Sequence, residues 1–115
     1  MSINLSTRQV DEVTVVDLSG KLKLGEGSSA LRDTVKDLLG NGQKKILLNL
    51  GNVNYIDSSG IGELVSAHTS VCNQGGELKL LGLTKKVHDV LQIMKLYTVF
   101  QVMDDEAGAI ASFKS

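Results

Sequence analysis

The sequence predicts an α/β fold: one mixed, mostly parallel sheet of four to five strands with about four helices. Three observations carry that expectation. Strand-like runs alternate with helix-like segments along the chain, and parallel strands need crossover connections of that length. The run Lys44-Lys45-Ile46-Leu47-Leu48-Asn49-Leu50 is nearly all apolar after its lysines, the pattern of a central strand covered on both faces. The first two runs are separated only by Asp11-Glu12, too little for a crossover, so the sheet should open with an antiparallel pair.

Each element can be justified in order. Ile3 to Val10 alternates weakly and reads as an edge strand; Val13-Thr14-Val15-Val16-Asp17-Leu18 follows the polar break, and Gly20 is expected to end it. Lys21 to Gly27 is polar and glycine-bearing, a loop. Ser28 or Ser29 can then cap a helix whose apolar positions Leu31, Val35, Leu38 and Leu39 recur at helical spacing, stopped by Gly40-Asn41-Gly42. After the central strand and Tyr55-Ile56, Asp57-Ser58-Ser59-Gly60 leads into a second helix. Its stripe is Ile61, Leu64, Val65, His68, Val71 and Cys72, closed by Gly75-Gly76. Leu78 to Leu81 is a further strand. Thr84 caps a third helix with Val87, Val90, Leu91 and Met94 inward. Val99 to Val102 is a short strand candidate, and a last helix begins near Asp104 with Ala107, Ile110, Ala111 and Phe113.

Composition narrows the function classes. At 115 residues the chain is expected to be one domain, 1–115, with no Gly/Ser-rich linker, internal repeat or Pro. A formal charge of −1 leaves no electrostatic footprint for nucleic acid or an acidic membrane, and the absence of Trp removes a favoured stacking platform. Cys72 is the only cysteine, so no intrachain disulfide can form. Met1-Ser2-Ile3-Asn4-Leu5 lacks a basic start followed by an apolar run, and no apolar stretch approaches the ~18 residues of a membrane span. The expectation is a soluble cytoplasmic protein.

The segment Asp57-Ser58-Ser59-Gly60-Ile61-Gly62 carries the chemistry. It stands where a buried strand hands over to a helix, the side on which open α/β sheets favour ligands. A first helical turn leaves N–H groups unpaired, and its partial positive charge tolerates an added phosphate. Asp57, Ser58 and Ser59 can serve simply as helix caps. Glycine early in a helix weakens it by roughly 0.5–1 kcal/mol relative to alanine, so Gly60 and Gly62 ask for a further reason, such as room for another molecule to approach the backbone.

Ile46-Leu47-Leu48-Asn49-Leu50 followed by Tyr55-Ile56-Asp57-Ser58-Ser59-Gly60-Ile61-Gly62 resembles the signature of STAS-domain proteins, specifically the bacterial anti-sigma factor antagonists. Val16-Asp17-Leu18-Ser19-Gly20-Lys21-Leu22, Gly75-Gly76-Glu77-Leu78 and the helix through Val87, Leu91 and Leu96 extend the resemblance over nearly the whole chain. It implies a STAS fold and a partner-switching cycle. Ser58 would be the phosphoacceptor of an anti-sigma factor that is also a serine kinase, and a PP2C-type phosphatase would reverse the modification. The unmodified protein, expected to be a monomer when free, would bind the anti-sigma factor and release the sigma factor. Asp57, Ser58, Ser59, Gly60 and Ile61 would form the docking surface. ATP and metal would belong to the partner, so the chain itself would need no cofactor and would be a substrate rather than an enzyme. The sequence departs from the family at Lys21-Leu22-Lys23-Leu24-Gly25-Glu26-Gly27, where many relatives carry acidic residues.

The remaining candidates are weaker. His68 should pack on its helix and His88 face solvent; without cysteine partners they make a poor metal site. Cys72 reads as a small core residue. Gly25-Glu26-Gly27 lacks the Lys-Ser/Thr ending of a nucleotide-binding loop. A receiver domain phosphorylated on Asp57 would need metal-holding acidic residues after the first strand, and Leu5 to Val10 supplies none. The other reading is a non-switching STAS scaffold subunit of a transporter ATPase or signalling complex, against which the Ser58 hydroxyl argues.

Overall fold

The computed structural model describes residues 3–113. An antiparallel hairpin of β1 (Ile3–Val10) and β2 (Val13–Leu22) comes first. It is followed by α1 (Glu26–Gly40), β3 (Lys45–Ile56), α2 (Ser58–Asn73), β4 (Glu77–Leu81), α3 (Lys85–Ile93), β5 (Val102–Met103) and α4 (Glu106–Ser112). The sheet order is β1-β2-β3-β4-β5, parallel everywhere except in the hairpin. This is the mixed α/β sheet expected.

The apolar run in β3 has two faces to fill. Ile46, Leu48 and Leu50 join Val16, Leu18 and Leu80 beneath α1, α2 and α3, whose Leu31, Val35, Leu64, Val71, Val87 and Leu91 close the main core. Leu47 points the other way, into a smaller cluster with Val13, Val15, Leu81, Ala109 and Phe113 under α4. Both sets are buried because side chains alternate across the strand. Removing a fully buried leucine such as Leu48 costs about 2–5 kcal/mol.

Several local expectations need correction. Gly20 does not end β2. It takes φ +104 beside a register irregularity, and the strand continues to Leu22 because its partner β3 runs on to Ile56. The loop therefore shrinks to residues 23–25. Ser28 and Ser29 do not cap α1: the helix starts at Glu26 after Gly25 without a side-chain cap, and Ser28 is buried with its hydroxyl donating to the Lys23 carbonyl at 3.0 Å. Met94 sits at the C-cap of α3 and is 43% exposed rather than inward. The last strand is Val102–Met103, later than expected, and Asp105 caps α4 by accepting from the Gly108 N–H at 2.8 Å. Cys72 is exposed, not core.

Two sets of contacts hold α4 on the sheet. Arg8 bridges Asp17 and Glu106 at the surface, with bonds of 2.7 and 2.8 Å. Exposed ion pairs of this kind are worth about 0–1 kcal/mol. Lys79 is only 5% exposed and donates to both the carbonyl and the hydroxyl of Ser112 at 2.8 Å, with its ammonium 4.8 Å from the Phe113 ring centre. The buried anchor should dominate. Lys79→Ala is expected to cost about 1–3 kcal/mol, the penalty of leaving buried polar groups unpaired. Hydrogen exchange should show lost protection concentrated in 106–112, whereas Arg8→Ala should shift the unfolding midpoint much less.

Candidate functional site

At the end of β3 the chain leaves the sheet through Asp57, whose extended backbone places its side chain over the start of α2. One carboxylate oxygen accepts the Gly60 N–H at 2.9 Å, and the other accepts the Leu24 N–H at 3.1 Å across the β2–α1 loop. The Asp57 main chain adds two more links. Its N–H donates to the Leu22 carbonyl at 3.3 Å, and its carbonyl accepts the first helical bond from Ile61 at 3.0 Å. Partial burial pushes the carboxyl pKa up, but N–H donors from Gly60, Leu24, Ser59 and Asp57 itself outweigh it and hold the group below its ordinary 3.8. Asp57 is therefore the cap, and it is also the fastener of the neighbouring loop.

Ser58 is the first residue of α2 and is exposed. Its hydroxyl enters no hydrogen bond among the described residues. It stands at a helix start, where unpaired N–H groups and the macrodipole favour negative charge. Ser59 is half-buried next to it. The structure thus leaves capping to Asp57 and frees the Ser58 hydroxyl from it.

The glycines divide differently than the sequence suggested. Gly60 is buried, and a Cβ there would fall on the Leu22 carbonyl oxygen and press on Ile56. Its missing side chain is needed by the fold itself, to let α2 start against the end of β2. Ile61 is 1% exposed, so its side chain belongs to the core and not to a surface. Gly62 is exposed, and a Cβ there would meet nothing within 4 Å. Of the two, Gly62 is the one that keeps the outer surface bare. Gly27 repeats the Gly60 arrangement on α1, with 2.9 Å between a Cβ and the Lys21 carbonyl oxygen. Within Gly25-Glu26-Gly27, Gly27 thus serves packing and Gly25, at φ +98, serves the turn into α1. Sequence reasoning missed Leu24, a leucine in a loop between Lys23 and Gly25; it is 75% exposed beside the Asp57 fastening.

The other singled-out residues lie elsewhere. His68 packs edge-on against Phe100 with Cys72 3.8 Å from its ring, and His88 meets Tyr97 on one side while its side chain stays 41% exposed, as expected of a solvent-facing position. A cavity of about 720 Å³ opens between the hairpin turn and α4, lined by Val10, Val13, Ile110 and Phe113 among others. None of residues 57–62 lines it.

The family model described as the STAS domain matches residues 4–109. The chain belongs to the STAS domain family. Among relatives, this STAS domain is 25% identical over 115 residues to the anti-sigma F factor antagonist of Paenibacillus polymyxa, covering 99% of this chain and 97% of the other. An anti-sigma factor antagonist from Mycobacterium paratuberculosis shares the fold with a TM-score of 0.84 at 16% identity, covering 99% and 96% of the two chains. The Bacillus cell fate determinant SpoIIAA in its phosphorylated form superposes with a TM-score of 0.74 at 22% identity, covering 94% and 97%.

Asp57 can be tested through acid stability. Since the folded carboxyl holds its proton less tightly than the unfolded one, its contribution is complete above pH 3.8 and fades as pH falls through the lower folded value. Asp57→Asn keeps one acceptor oxygen and should lose about 1 kcal/mol at neutral pH. Acid titrations of the unfolding midpoint should show a shallower loss below pH 4 for this variant than for the parent. In the same assay, Gly60→Ala should destabilise by about 1–3 kcal/mol through overpacking, while Gly62→Ala should not.

Proposed function

We propose that this STAS domain is an anti-sigma factor antagonist switched by phosphorylation of Ser58. In its unmodified form it binds an anti-sigma factor that is also a serine kinase, and the sigma factor is released. Phosphorylation of Ser58 by that kinase ends the binding, and a PP2C-type phosphatase restores it. One observation carries the reading: the Ser58 hydroxyl is exposed and uncommitted at the first position of a helix already capped by another residue. Likeness to anti-sigma factor antagonists over nearly the full chain, and to a structure of SpoIIAA in a phosphorylated form, supports it.

The chemistry divides between the two proteins. Asp57 is held below the ordinary carboxylate range by main-chain N–H donors, which makes it a weak base toward the neighbouring hydroxyl. The group that takes the Ser58 proton, with ATP and its metal, therefore belongs to the kinase. This chain contributes a rigidly presented acceptor at a site whose dipole tolerates the product dianion. Ser58, Ser59 and the bare surface at Gly62 form the docking centre. Gly60 and Ile61 act from beneath by setting the position of that helical turn.

The kinases to test are the serine-kinase anti-sigma factors of the source organism, purified and incubated with this protein and ATP. One phosphoryl group is expected, on Ser58. Peptide mapping to Ser59 or elsewhere would remove the assignment. Ser58→Asp should unfold within roughly 1 kcal/mol of the parent, because Asp57 remains the cap. It should bind the kinase on the order of a hundredfold more weakly, since it sets an unpaired charge against a surface built for a hydroxyl. Ser58→Ala should bind like the parent. Gly62→Leu should retain the parent's melting temperature and lose kinase affinity. A non-switching scaffold would show no phosphorylation and no response to Ser58→Asp.

A further inference from the structure

The β2–α1 loop is three residues long, and each of them is tied down. The Lys23 carbonyl accepts the N–H and the hydroxyl of Ser28 at 3.1 and 3.0 Å. The Leu24 N–H is held by Asp57 at 3.1 Å, and the Gly25 carbonyl accepts the Ser29 N–H at 3.0 Å. Gly25 adopts φ +98, which turns the chain into α1. The loop is a rigid platform, yet the Leu24 side chain on it is 75% exposed. A single exposed leucine is ordinary on a protein surface. This one differs because its main chain is fastened to Asp57, the residue immediately before the phosphoacceptor. An apolar side chain held in this way loses little conformational freedom on binding and makes an efficient anchor.

The surroundings define what can receive it. Lys23 precedes Leu24, and Lys21 is exposed one pleat earlier at the end of β2, in register with Tyr55, itself 38% exposed. Of the carboxylates on this side, Asp57 already spends its acceptors on main-chain N–H groups, and Glu26 is exposed in the first turn of α1. The segment thus carries an apolar knob preceded by two lysines and followed by one glutamate, a net positive charge of one.

We infer that Leu24, preceded by Lys21 and Lys23, is a second docking determinant, and that it fits a partner protein carrying an apolar socket bordered on that side by carboxylates. The inference rests on the Ser58 face being the kinase-binding face and adds to it the chemistry of the surface that the kinase must present. Complementary charge around a buried apolar anchor speeds encounter and selects among related partners.

The test titrates the purified serine-kinase anti-sigma factor, without ATP, against the parent, Leu24→Ala, the double variant Lys21→Glu/Lys23→Glu, and Ser58→Asp, at low and high salt. Leu24→Ala and the double variant should each weaken binding about tenfold or more without moving the melting temperature. The parent's association should slow with salt, and the double variant should lose that dependence. If both variants bind within about twofold of the parent while Ser58→Asp does not bind, the Leu24 surface is overturned and the Ser58 switch stands. If Leu24→Ala weakens binding and Ser58→Asp does not, the surface stands and the Ser58 reading falls. A parent that binds none of the organism's serine-kinase anti-sigma factors overturns both.

Discussion

The Asp57 carboxylate is the constraint on which the functional end of this protein depends. Its two oxygens accept from two different elements, the first turn of α2 and the β2–α1 loop. A carboxylate with two bound N–H groups resists protonation and rotation, so the capping bond and the loop fastening are made by one group in one orientation. Because the Asp57 N–H also reaches Leu22, the ends of β2 and β3 stay paired beyond the region covered by β4. Everything presented at that end inherits its position from this residue.

Close backbone approach is the second half of the same arrangement. Gly27 and Gly60 bring the first turns of α1 and α2 against the Lys21–Leu22 segment from two sides. Neither position has room for a methyl group without displacing main chain. The helices therefore start at a fixed distance from the sheet, and their partly positive ends stand together over the strand termini. This explains how a surface with a free serine hydroxyl can be held still although that hydroxyl makes no hydrogen bond among the described residues. Stability and recognition are carried by adjacent residues, and a phosphate added to one need not dismantle the other.

The opposite side of the sheet is built more thinly. A single seven-residue helix covers it, pinned by the buried Lys79 ammonium and by the surface bridge through Arg8. A lysine can be buried there because two Ser112 oxygens and the Phe113 ring replace its water. The main core, by contrast, is aliphatic throughout β3, α1, α2 and α3 apart from Phe100. The two faces thus differ in how they are held: one by a large area removed from water, the other by a smaller apolar cluster together with a few directed bonds.

Much of this was legible in the residues. The alternation of apolar runs, the two-sided burial of Ile46 to Leu50 and the Asp11-Glu12 break are local patterns, and they determine element type and the antiparallel start. Asp57-Ser58-Ser59-Gly60 marks a helix start by capping chemistry, and it is the resemblance to the antagonists' motif that points to Ser58. Contacts between distant segments leave no local trace. That Gly60 serves the Leu22 carbonyl, that Ile61 faces the core, that Leu24 is fastened outward by Asp57, and that β2 runs past Gly20 all depend on where β2 and β3 end relative to each other. Sequence by itself determined the element types, since periodicity and capping act within a few residues, and motif resemblance supplied the phosphoacceptor candidate. Only the tertiary structure decided which neighbours of that serine are surface and which are scaffold, because exposure is a property of what packs against a residue from elsewhere in the chain.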